Sequence, residues 1–80
     1  MTTRKKKSPG VGPDFRAIGK RIRQLRGFEM RQVELAKALD ITQAQLSKYE
    51  RGQNAPTIEI LLKLKKLSGK SIDWIVAGES

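Results

Sequence analysis

Gln32–Gly52, QVELAKALDITQAQLSKYERG, is the stretch on which the reading of the fold turns. Val33, Leu35, Ala36 and Leu39 form an apolar stripe at helical spacing, and the stripe stops at Asp40, a residue type that tolerates left-handed backbone. Ile41 and Thr42 make a turn, and Thr42 caps the helix that follows. Leu46 and Tyr49 are the apolar positions of that helix, and Gly52 closes it. A surface helix of a small helical domain gives about three or four positions per two turns to the core. From Thr42 to Arg51 the chain offers chiefly Leu46 and Tyr49. The remaining faces carry Gln43, Ala44, Gln45, Ser47, Lys48 and Arg51, with Glu50 the lone acid. That surface suits a groove lined by anions, and it equally suits plain exposure to solvent.

Toward the amino end, Phe15, Ile18, Ile22 and Leu25 recur at helical spacing after Asp14, a suitable cap, and predict a first helix ending near Gly27. Phe28–Arg31 is a short connection. Residues 1–14 hold Arg4, Lys5, Lys6 and Lys7 followed by Ser8, Pro9, Gly10, Gly12 and Pro13. This segment has too little apolar surface to offset the entropy of ordering it and reads as a flexible basic arm. Toward the carboxyl end, Gln53–Pro56 form a loop. Thr57 caps a fourth helix, with Ile58, Leu61, Leu62, Leu64 and Leu67 expected to face inward and Ser68–Gly69 ending it. A last turn or two spans Ser71–Ala77, with Ile72, Trp74, Ile75 and Val76 as its apolar groups. Trp74 is expected in the core, and the LKLKK run within Leu62–Lys66 reads as one charged helix face. There is no strand pattern and no internal repeat. The expected architecture is therefore all-α: one domain of five helices over 15–78 behind the arm.

Eighty residues suffice for one modest core but not for two lobes around a cleft. The chain has no cysteine and no histidine, which removes disulfides, thiolate chemistry and nearly every transition-metal site, and no cofactor is expected. Ser47, Ser68 and Tyr49 have no histidine to activate them, and no glycine-rich phosphate cradle is present, so an enzyme is not expected. Seventeen Lys and Arg against eight Asp and Glu leave a net charge of +9, which points to a polyanionic partner, nucleic acid ahead of an anionic membrane surface. No apolar run approaches the roughly 18 residues of a membrane span, and no signal-peptide core follows the basic start, so a cytoplasmic protein is expected. On nucleic acid, Gln can bridge N6 and N7 of adenine, and Lys can donate to guanine O6 and N7. A small residue such as Ala44 allows close approach or touches a thymine methyl.

The spacing of Gln32, Ala36, Ile41, Leu46 and Tyr49 resembles the helix-turn-helix of the lambda-repressor-like (Cro/C1-type, XRE) family of phage and bacterial regulators. The likeness runs on through the NAPT loop, the leucine-rich fourth helix and the SIDWIVAGES ending, covering about Phe15–Gly78. Two features depart from the family pattern. Asp40 stands where Gly is usual, and the connection LRGFEMRQ looks one residue shorter, which leaves the register of Arg26, and an Arg26–Glu50 pair, open. The resemblance implies that Gln43, Ala44 and Lys48 read bases. It gives backbone contacts to Gln32, Thr42, Gln45, Ser47, Arg51, Gln53 and Asn54, with Gln32 anchoring a phosphate at the start of its helix.

The resemblance further implies a transcriptional regulator, expected to be a repressor, that binds a double-stranded operator as a homodimer on an inverted repeat and blocks or assists RNA polymerase. Arg4–Lys7 are candidate arm contacts to phosphates or the minor groove. Pro56, Ile72, Ile75 and Val76 are the candidate dimer contacts. The competing reading is an antitoxin-like interaction module whose DNA binding is autoregulatory, although such proteins usually carry a partner-binding extension and none is apparent beyond the arm.

Overall fold

In the computed structural model, which describes residues 12–79, the chain folds into α1 (Phe15–Arg26), α2 (Gln32–Leu39), α3 (Gln43–Glu50), α4 (Ile58–Ser68) and α5 (Ile72–Ala77), with no strand among the described residues. The arm expected over 1–14 lies almost wholly outside the described residues, Arg4–Lys7 included.

Each helix begins where the sequence puts a side-chain acceptor, with one exception. Asp14 accepts from the Ala17 amide at 3.1 Å, Thr57 from Ile60 at 3.2 Å and Ser71 from Trp74 at 3.0 Å, each satisfying a first-turn amide that has no partner within its helix. Thr42 and Gln45 form a reciprocal box: the Gln45 amide donates to Thr42 Oγ1 and the Thr42 amide to Gln45 Oε1, both at 3.0 Å. The exception is α2, whose cap is Arg31; there the acceptor is Glu34, which takes the Arg31 amide at 2.7 Å. Between α2 and α3, Asp40 adopts the left-handed conformation (φ 60°, ψ 44°), and the Ile41 amide reaches back to the Ala36 carbonyl at 3.0 Å. This αL closure sets the angle between the two helices without a glycine.

The core gathers Ile18 and Ile22 of α1, Leu35, Ala36 and Leu39 of α2, Leu46 and Tyr49 of α3, Ile60, Leu61 and Leu64 of α4, and Ile75 of α5. The expected inward face of α4 needs correction. Leu61 and Leu64 are buried, but Ile58, Leu62 and Leu67 are exposed, and the third buried residue is Ile60. At 100° per residue, Ile60, Leu61 and Leu64 fall within one stripe, whereas Ile58 and Leu62 sit roughly 110° and 150° from its centre. Apolar residues occupy so many α4 positions that their identity alone does not choose the stripe. Phe15 and Val33, read as stripe residues, are covered only in part, remaining 38% and 44% exposed. Trp74 is half-buried rather than internal, with the Lys70 ammonium 5.1 Å from its ring centroid.

Gly19 allows a close helix–helix contact. A Cβ on it would stand 2.5 Å from the carbonyl oxygens of both Tyr49 and Glu50, so α1 lies backbone to backbone against the end of α3. Gly52 (φ 76°) is likewise pressed on Arg16, with a notional Cβ 2.8 Å from its Cα. These two contacts clamp α3 at its carboxyl end and leave its amino end and outer face projecting.

Candidate nucleic-acid interface

On α3, Leu46 is fully buried and Tyr49 nearly so, while Gln43, Ala44, Gln45 and Lys48 are exposed and Ser47 is half-buried. The helix is held by two anchors, and four of its eight residues are presented outward.

A chain of polar side chains fixes the first of these. Glu50 takes a fork from Arg26, whose Nε donates to Oε2 at 3.0 Å and Nη2 to Oε1 at 2.9 Å; the side chains are 5% and 13% exposed. Gln32 Nε2 donates to Glu50 Oε1 at 3.1 Å, and Gln43 Nε2 donates to Gln32 Oε1 at 3.2 Å. The directions follow from the chemistry. An ionised carboxylate only accepts, so Gln32 turns its amide nitrogen to Glu50 and its oxygen outward. That oxygen orients the amide of Gln43. Gln43 is left with its carbonyl oxygen and one N–H free, a matched acceptor and donor on the exposed face. The open Arg26–Glu50 pairing is thus made, and it is the buried end of the network.

At the far end of α3, Arg51 Nη1 donates to Ser47 Oγ at 2.6 Å and Nη2 to Gln53 Oε1 at 3.2 Å, bringing three candidate backbone contacts into one cluster. A cation here also complements the negative end of the helix dipole. Thr42 and Gln45 spend part of their hydrogen-bonding capacity on the capping box, but the Thr42 hydroxyl hydrogen and the Gln45 amide hydrogens remain. Asn54 is exposed in the loop beyond, and Lys48 has no polar partner among the described residues.

The candidate dimer residues separate. Ile75 is 0% exposed and belongs to the core, so it has no surface to give a partner; Pro56, Ile72 and Val76 are half-buried. Sequence reasoning missed Gly19 and the role of Glu50 as the hub. A glycine inside the strongly amphipathic run of α1 was the available signal for the first. The hub joins residues 18 and 24 positions apart and leaves no local trace.

Two short helices locked by an αL turn, with the second projecting a polar face, define a helix-turn-helix protein. Residues 20–75 match the Helix-turn-helix family, which spans more than half of the chain, and the protein belongs to it; within that family it is of the lambda-repressor-like, Cro/C1 type. It is 41% identical over 63 residues to the HTH-type transcriptional regulator DicA of Escherichia coli K12; the match covers 78% of this chain and 47% of that protein, so the chain spans about half the length of its curated relative. The fold is similar to the P22 c2 repressor in complex with synthetic operator 9T, with TM-score 0.71, 33% identity and coverage of 78% of this chain and 96% of that one. It is also similar to the restriction-modification controller C.AhdI of Aeromonas hydrophila, with TM-score 0.68, 25% identity and coverage of 78% and 96%.

Proposed function

We propose that this protein is a sequence-specific double-stranded DNA-binding transcriptional regulator, a repressor that occupies an inverted-repeat operator as a dimer and acts by excluding or contacting RNA polymerase. The observation that carries this reading is Gln43. Its amide is aimed through Gln32 and Glu50 to Arg26, and it presents one acceptor and one donor from the first turn of a projecting helix. That pair complements N6–H and N7 of adenine in the major groove. The likeness to a repressor crystallised on operator DNA supports the same reading.

Gln43, Ala44 and Lys48 read base edges. Gln32, Thr42, Gln45, Ser47, Arg51, Gln53 and Asn54 meet the backbone and fix the register without carrying sequence information. Gln32 serves both roles, since the residue at the head of α2 that would approach a phosphate also orients Gln43. Arg4–Lys7 add sequence-independent affinity, and a charge of +9 keeps the protein on the nucleoid in the cytoplasm. Two copies with recognition helices about 34–36 Å apart read successive major grooves on one side of the duplex. Pro56, Ile72 and Val76 keep surface available to the contact between copies.

Selection from a pool of random duplexes tests the proposal. An enriched inverted repeat, with affinity falling log-linearly in salt because Lys and Arg side chains displace counterions from the phosphates, is the expected result. Recovery of unenriched sequence from a folded, DNA-retaining protein would reject specific reading.

A further inference from the structure

The outer face of α4 is left over from the fold. Ile58 is 71% exposed and Leu62, one turn on, 52% exposed, although both are aliphatic and one helical turn apart on the same face. Leu62 lines a shallow depression with Lys65 and Lys66. Glu59, whose side chain is 76% exposed and whose partner among the described residues is Lys63 at 3.3 Å, lies on the flank that also carries Lys66. The face therefore holds an acid and a knob at its amino end, bases and a hollow at its carboxyl end, and a leucine between them.

We infer that this face binds a second copy of itself, α4 against α4 in antiparallel sense, about a two-fold axis passing beside Leu62. The inference rests on the dimeric reading above and gives it a surface, beginning two residues after Pro56. The pattern is self-complementary under that operation. At about 1.5 Å and 100° per residue, Ile58 and Glu59 lie about 6 and 4.5 Å to one side of Leu62, and Lys65 and Lys66 about 4.5 and 6 Å to the other, so paired residues differ in height by about 1.5 Å. The two-fold exchanges the ends but keeps each flank. Ile58 then enters the partner's hollow against the Lys65 stem, and Glu59 meets the partner's Lys66, each contact occurring twice. A parallel pairing would exchange the flanks and set Lys65 against the partner's Lys66. One short helix face covers far less than the roughly 800 Å² per partner of a stable interface, so association in free solution is weak and is consolidated on DNA.

The chain has no cysteine, which makes cross-linking a clean test of a weak contact. Helices packed about 8–10 Å apart, with Cα atoms about 2.3 Å from each axis, bring the two residue-62 Cα atoms to roughly 3.5–5.5 Å, which reaches disulfide range at the wider spacings. Under mild oxidation of the full chain without DNA, Leu62→Cys should form covalent dimer at least tenfold faster than Gln24→Cys on the exposed side of α1. In the Leu62→Cys background, Glu59→Lys or Lys66→Glu alone should slow cross-linking about fivefold, and the two together should restore it. Circular dichroism of each variant establishes that the fold is intact. Leu62→Cys no faster than Gln24→Cys, or a double swap as slow as the single ones, overturns the inference. Rapid cross-linking through Val76→Cys with none through Leu62→Cys would overturn it while leaving dimeric DNA reading standing.

Discussion

Replacing Glu50 with Gln removes one charge and alters almost no volume, yet the geometry makes it a severe change. Both carboxylate oxygens are committed as acceptors: Oε2 to Arg26 Nε, and Oε1 to Arg26 Nη2 and Gln32 Nε2. An amide offers one acceptor, so its NH2 group must face at least one donor of Arg26 or Gln32. The guanidinium, 13% exposed, keeps its charge with no counterion. Uncompensated buried charge left by breaking such a pair costs about 3–5 kcal/mol, and residual water at Arg26 places this case near 3. For a domain of this size each kcal/mol moves the melting midpoint by about 4–8 °C, giving a fall of roughly 12–24 °C. Thermal unfolding followed by far-UV circular dichroism measures it. Arg26→Met together with Glu50→Leu, which removes both charges, should recover most of the loss. A Glu50→Gln midpoint within about 3 °C of the parent, or a double variant as unstable as the sum of its single changes, would refute the reasoning.

Gly19→Ala gains roughly 0.5–1 kcal/mol of helix propensity but drives a methyl to 2.5 Å from two carbonyl oxygens, so denaturant titration should show a net loss of about 1–3 kcal/mol. Asp40→Gly relieves a non-glycine residue held at φ 60° and should raise the melting midpoint by several degrees, corresponding to about 1 kcal/mol. Thr42→Ala removes the acceptor for the Gln45 amide and should cost about 1 kcal/mol in the same titration.

Local chemistry was legible in the sequence wherever it was decided within a few residues. Asp14, Thr42 and Thr57 announce helix starts because a cap acts three residues ahead, and the Asp40 turn could be read because few residue types accept its conformation. The α4 stripe was not legible, since Ile58, Ile60, Leu61, Leu62 and Leu64 are interchangeable to a hydropathy pattern and only docking against the other helices selects among them. Gln43 and Gln32 were readable as a pair through resemblance to a family. The reason they act together was not readable, because Glu50 and Arg26 reach them from another turn and another helix. What the fold adds to the site is aim, supplied by a buried ion pair that never approaches the solvent-facing surface of α3.

The most direct test of the account is the sequence preference of the parent beside that of Gln43→Ala, each determined by selection on random duplexes. If Gln43 reads a base, the variant should bind with a preference flattened at one base pair in each half-site, a discrimination of about 1–3 kcal/mol, while the other positions and the salt dependence stay as they were. An unchanged preference at every position would contradict base reading by Gln43 and, with it, the role assigned to the chain of side chains that holds it in place.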